Sequence, residues 1–176
     1  PRTGNQLGKN VPGTAYRCAP GGPNDYVYVL AQQQMWQSML EATGLTETLG
    51  DEKYNTPAGR WDHREEVDAA IEGWSMQHTK YEVMKILGDA GVPCGATQDT
   101  AELLEDPHLI ERDMILDVDY PKYGTFKTVG CPIKMSDSPV DVTRPPELSE
   151  HSAEVLAEFC GVSPEEFKRL KAEGVV

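Results

Sequence analysis

The stretch Pro23-Asn24-Asp25-Tyr26-Val27-Tyr28-Val29-Leu30, followed closely by Met35-Trp36-Gln37-Ser38-Met39-Leu40, decides the fold class. Aromatic and β-branched side chains behind a Pro-Asn-Asp turn signal read as a strand over 26–30. Met35, Trp36, Met39 and Leu40 then fall on one helical stripe, which Gly44 ends. A strand that hands the chain to an amphipathic helix predicts an α/β body of mixed α+β type.

Upstream, residues 1–25 carry no periodic pattern. They hold Gly4, Gly8, Pro12, Gly13, Pro20, Gly21, Gly22 and Pro23, so a long loop is expected, broken by a short strand around 15–18. Loops of this length inside a domain are functional or ordered against another surface.

Downstream, residues 50–60 are polar. Asp62 with Glu65 then reads as a capping box for a helix that buries Val67, Ala70, Ile71 and Trp74. Thr79 with Glu82 caps the next helix, whose stripe is Val83, Ile86, Leu87 and Ala90 and whose end is Gly91. Residues 92–96 are extended, and Pro93 excludes a central strand there. Asp99 with Glu102 opens a short helix that stops before Asp106-Pro107. A hairpin follows, 114–119 returning over 125–129 through Pro121-Lys122-Tyr123-Gly124. After a Pro-rich stretch over 132–150, Val155, Leu156 and Phe159 mark a helix. Ser163-Pro164-Glu165-Glu166 opens a terminal one. Two domains are expected, 1–105 and 106–176. The trailing domain is under-sized for an independent core and is expected to pack on something else.

The chain has 176 residues and a net charge of -13, from 29 acidic against 16 basic side chains. Such a surface repels a phosphate backbone, which argues against nucleic acid and anionic membranes as partners. A small anionic ligand in a local nest stays possible. Cys18, Cys94, Cys131 and Cys160 form no CxxC and read as reduced, with the cytoplasm as the expected compartment. No 18-residue apolar run and no secretion signal are present. The start, Pro1-Arg2-Thr3-Gly4-Asn5, lacks an initiator Met, so a trimmed start or a piece of a longer chain is expected.

Self-sufficient active-site signatures are missing. There is no GxGxxG, no GxxxxGK[ST], no GxSxG and no HExxH. His63 and His78 read as surface residues beside helix caps, and His108 as a turn residue. Glu150-His151 at a helix mouth reads as a cap or as a docking pair for a partner chain. Trp36, Trp61 and Trp74 read as packing residues. Asp25 and Asp62 are carboxylates with turn or cap readings. No metal site is expected.

Several segments in order carry a resemblance. They are Pro1-Arg2-x-Gly4-Asn5, Pro12-Gly13-Thr14-Ala15-Tyr16-Arg17-Cys18, Asn24-Asp25-Tyr26-Val27-Tyr28, Asp51-Glu52-Lys53-Tyr54-Asn55-Thr56 with Gly59-Arg60, Gly91-Val92-Pro93-Cys94-Gly95, Leu103-x-x-Asp106-Pro107, Gly130-x-Pro132-Ile133-Lys134-Met135-Ser136 and Leu148-Ser149-Glu150-His151. Together they resemble the C-terminal part of class III CoA-transferases of the formyl-CoA type.

The resemblance implies a small α/β domain plus a hairpin and helices that return to a Rossmann-like large domain, in interlocked dimers or heteromers. It implies transfer of coenzyme A between carboxylic acids, with the CoA thioester as substrate and no covalently bound cofactor. The family's nucleophile, an aspartate that attacks the thioester, belongs to an N-terminal half with no counterpart here, so no catalytic residue is named. The family's glycine-rich loop over the thioester corresponds to Gly8 and to the substrate-binding candidates Lys9, Asn10, Val11, Pro12 and Gly13. Fewer glycines stand here, and Lys9, Asn10 and Val11 are expected to stiffen the loop and fill space. A larger acyl group, a racemase or lyase acting on a CoA ester, and a non-catalytic assembly module stay open beside formyl and oxalate transfer.

Overall fold

A computed structural model describes residues 4–176. Pro1, Arg2 and Thr3, which open the first motif above, lie outside the described residues. The chain divides into two compact units, the first ending at Glu102 and the second running from Leu103 to Val176.

The first unit holds a three-stranded antiparallel sheet of β1 (Gly13–Arg17), β2 (Tyr26–Leu30) and β3 (Cys94–Ala96), with β2 in the middle. β1 and β2 pair with Ala15 opposite Tyr28, and β2 meets β3 with Tyr28 opposite Gly95. The expected strand at 26–30 is present with the same bounds. Pro93 stands just before an edge strand and contributes only its carbonyl, to the Leu30 N–H at 3.0 Å.

Helices α1 (Trp36–Thr43), α2 (Thr46–Leu49), α3 (Pro57–Asp62), α4 (Arg64–Ser75) and α5 (Lys80–Asp89) complete most of this unit. α4 packs on β1, α5 on β2 and β3, and α1 on α5. Val27 and Val29 of β2, Trp36, Met39 and Leu40 of α1, Val67 and Ile71 of α4, and Val83 and Leu87 of α5 form one buried cluster. Ala70, Ile86 and Ala90 pack at its margin. The Thr79–Glu82 capping box is made in both directions, with the Thr79 N–H donating to Glu82 at 2.8 Å.

Asp62 is a correction. It ends α3 and caps nothing, and His63 stands at the start of α4 without a side-chain cap. The polar stretch 50–60 hides a helix start. The Thr56 hydroxyl accepts from the Gly59 N–H at 3.1 Å, and Pro57 occupies the first turn. That earlier start carries the chain through Asp62.

α6 (Thr100–Leu104) begins at the reciprocal Asp99–Glu102 cap, each N–H to carboxylate distance being 2.9 Å. In the second unit, α7 (Pro107–Glu111) is capped by Asp106 and contains His108, which is therefore helical rather than a turn residue. The hairpin is β4 (Ile115–Tyr120) with β5 (Gly124–Val129). α8 (Ser152–Cys160) and α9 (Pro164–Ala172) follow, the latter capped by Ser163. Among the described residues this unit buries only Ile115 and Val118 of its large apolar side chains, while Leu148 and Phe159 are 101% and 76% exposed. No helix among the described residues is long and apolar enough to cross a membrane.

Candidate functional site

The loop over residues 6–13 closes on itself. The Leu7 N–H donates to the Gly13 carbonyl at 2.7 Å, and the Asn10 N–H to the Leu7 carbonyl at 3.1 Å. Two side chains reinforce the turn: Gln6 Nε2 reaches the Asn10 carbonyl at 3.0 Å, and Asn10 Nδ2 the Leu7 carbonyl at 3.1 Å.

The five candidates separate into two groups. Lys9 and Asn10 stand exposed at the tip beside Gly8, whereas Val11, Pro12 and Gly13 are buried. The Val11 side chain enters the core. The Pro12 carbonyl accepts from the Ala31 N–H at 3.3 Å, and the Gly13 carbonyl from the Tyr28 hydroxyl at 3.2 Å. Among the described residues, the backbone N–H groups of Lys9 and Val11 donate to no acceptor. The arrangement is a buried base carrying an exposed tip, on which the Lys9 N–H is the donor without an acceptor among the described residues.

Gly13 is required by close approach. A Cβ there would lie 2.7 Å from the Asn10 carbonyl oxygen, which belongs to the turn itself. Gly13→Ala is expected to push the tip outward and destabilise the fold by about 1–2 kcal/mol, the usual range for mild overpacking. Faster amide exchange at Leu7 and Asn10, with the sheet amides unchanged, is the readout.

Beneath the base lies Arg60, on α3 and 1% exposed. Nε donates to the Val11 carbonyl at 2.8 Å, Nη1 to the Tyr54 carbonyl at 2.9 Å and Nη2 to Gln33 Oε1 at 3.2 Å. The guanidinium lies 4.5 Å from the Trp36 ring centre, a cation–π contact that offsets part of its desolvation. Burial shifts its pKa downward. In the sequence, nothing but membership of a longer motif marks Arg60. The Thr56-Pro57 helix start is the signal that could place it on an inward face.

Tyr54 links this anchor to the surface. Its hydroxyl donates to Glu66 Oε2 at 2.6 Å, and Lys53 Nζ approaches the same oxygen at 2.9 Å. The Tyr54 hydrogen bond, with those from Lys53 and His63, holds the Glu66 carboxyl down at about 2. An ordinary Glu titrates near about 4.3. The stabilisation is therefore complete above that value and lost as pH falls toward the folded-state pKa. Glu66→Gln is expected to flatten the acid-side fall of the urea midpoint. The effect is small, because the carboxylate is 54% exposed and screened.

Other carboxylates and thiols near the sheet have structural partners. Asp25 accepts from the Gly22 N–H at 2.6 Å, as its turn reading implied. Asp68 accepts from the buried Tyr16 hydroxyl at 2.6 Å. Burial, then Asp25, pushes the Cys18 thiol up to about 11, which leaves it protonated and unreactive. His151 caps no backbone group and instead meets Glu154 at 3.2 Å. Glu150 does the local capping, accepting from the Glu147 N–H at 2.7 Å, and it pairs with Arg144.

The sequence pattern of CoA-transferase family III matches residues 1–152. The chain belongs to CoA-transferase family III. It is 44% identical over 176 residues to a formyl-CoA:oxalate CoA-transferase of Streptomyces avermitilis, covering 100% of this chain and 43% of that protein. A second formyl-CoA:oxalate CoA-transferase, from Bradyrhizobium sp., is 36% identical over 178 residues, covering 100% and 42%. The chain thus spans less than half the length of the curated relatives it matches. Among solved structures, a CAIB/BAIF family protein from Brucella suis superimposes with a TM-score of 0.75 at 24% identity, over 89% of this chain and 40% of that one. Rv3272 from M. tuberculosis does so with a TM-score of 0.66 at 22% identity, over 82% and 40%. The mixed α+β architecture is that of the CAIB/BAIF fold.

Proposed function

We propose that this chain supplies the loop that covers the reacting thioester in an acyl-CoA:carboxylate CoA-transferase of the formyl-CoA:oxalate kind. The nucleophilic aspartate stands on another part of the enzyme. The observation that carries the reading is the match of the whole chain, at 44% identity, to a protein of that activity. The loop fits the role. Its exposed tip offers the Lys9 N–H, and donors fixed in advance stabilise the oxygen that gains charge when a carboxylate attacks the acyl carbon. Lys9, exposed at the tip, adds a positive charge to an otherwise acidic surface.

The remainder of the enzyme is also the proposed seat of the second unit. Leu148 and Phe159, left in water here, are the side chains that would meet it.

The test is to incubate the complete protein that contains this chain with formyl-CoA and oxalate, and then with larger acyl-CoA donors. CoA esters are followed by mass spectrometry. Exchange by the complete protein and none by residues 1–176 alone is expected. An intact, folded complete protein that exchanges no CoA ester overturns the reading.

A further inference from the structure

Arg60 is a buried cation without a counter-anion in a chain that carries 29 acidic residues. Among the described residues no carboxylate pairs with it, and its hydrogen bonds run to three neutral oxygens. Stability alone is a weak account of such a group, because apolar residues often replace buried charges without loss. An apolar side chain cannot hold oxygens from separate segments in one plane. Arg60 does this for the loop base at Val11, for the turn at Tyr54 and for Gln33 ahead of α1. Trp36 closes the other side of the plane with its ring face, its own Nε1 being buried without a partner.

The geometry matters because of where Val11 stands. It is the joint between the exposed tip at residues 8–10 and the start of β1 at Gly13. Its side chain is fixed in the core and its carbonyl is fixed by Arg60. With both held, the exposed tip that carries the Lys9 N–H has a defined place.

We infer that Arg60 is the positioning residue of the loop: its guanidinium clamps the Val11 carbonyl and thereby sets where the Lys9 N–H at the tip meets the acyl group. This rests on the proposed CoA-transferase reading for its catalytic consequence, though not for the clamp itself. Lysine is the informative replacement. It keeps the charge but has no planar fork, so it cannot serve three acceptors in one plane.

The experiment uses the complete protein with Arg60→Lys, and with Gln33→Leu, which removes one acceptor of Arg60, and the Gln33 bond to the Asn55 carbonyl at 2.7 Å, from the exposed rim without touching the core. Arg60→Lys is expected to lower kcat at least tenfold with KM for the CoA ester within about threefold, the pattern of an interaction made only in the transition state. Gln33→Leu is expected to give a smaller loss with the same split, so the inference survives to be tested even where Arg60→Lys does not fold. Amide exchange at Leu7 and Asn10 is read in the same samples and should quicken in both variants. Wild-type kcat in a folded Arg60→Lys protein, or unchanged exchange at these amides, overturns the inference. A parent protein without any CoA exchange disposes of the functional reading alone, and the amide exchange then decides the clamp.

Discussion

Lys80→Met lowers the thermal midpoint of the first unit by about 10 °C. The Lys80 side chain is 5% exposed, and its ammonium donates to the carbonyls of Asn24 at 3.1 Å and Thr97 at 2.8 Å while meeting Glu102 at 2.6 Å. It thus joins the entry of β2, the exit of β3 and the start of α6. Methionine matches the stem in length and leaves both carbonyls without this donor. Each unmade buried hydrogen bond costs about 1–3 kcal/mol, and loss of a buried ion-pair partner costs about 3–5 kcal/mol when both charges are buried. Glu102 is 30% exposed and recovers water, so the ion-pair figure does not apply and the two carbonyls, at the lower end of their range, set the loss. A net loss of about 2–3 kcal/mol corresponds to about 10 °C for a unit of this size. Lys85→Met on the same helix is the control. Its pair with Asp89 is 75% and 68% exposed, and the midpoint should not move measurably. Equal effects of the two substitutions would refute the assignment of Lys80 as a structural tie.

Gly59→Ala is expected to destabilise the fold by about 2–3 kcal/mol, the upper part of the overpacking range. By propensity alone the change should help, since alanine in a helix is favoured over glycine by about 1 kcal/mol. Space decides the sign. A Cβ at Gly59 would lie 1.9 Å from the Lys53 carbonyl oxygen, a backbone atom with no freedom to retreat. α3 would have to move, taking with it Arg60 and its hold on the loop. Gly73 in α4 and Gly88 in α5 have no atom within 4 Å of the same hypothetical Cβ. Gly73→Ala and Gly88→Ala are expected to stabilise by about 0.5–1 kcal/mol. Urea unfolding of the three variants checks the contrast, and a stabilised Gly59→Ala would show that the α3 start is not where it is placed.

Strands and caps whose signals lie within a few residues are legible in the sequence. The strand at 26–30, the hairpin and the Thr79, Asp99 and Ser163 caps need no distant partner to be read. Asp62 misleads because two cap patterns overlap. The Thr56-Pro57 start wins, since it satisfies an N–H and pre-sets the backbone angle in the same turn. The stretch 8–13 is singled out in the sequence by family resemblance alone. Its division into tip and base is not legible there, because it depends on Arg60, 49 residues downstream of Val11. Burial of a charged residue is a tertiary decision, and composition gives no warning of it. Lys80 is hidden for the same reason: its acceptors, at Asn24 and Thr97, meet at one end of the sheet from segments far apart in the chain.

The uneven distribution of burial bears on the life of the chain in a cell. The first unit closes its own core, whereas the second keeps Leu148 and Phe159 in water. Chaperones and proteases sort proteins by such exposed surface. Engagement by a chaperone or cleavage by a protease would therefore begin at this end of the chain, ahead of the self-contained first unit.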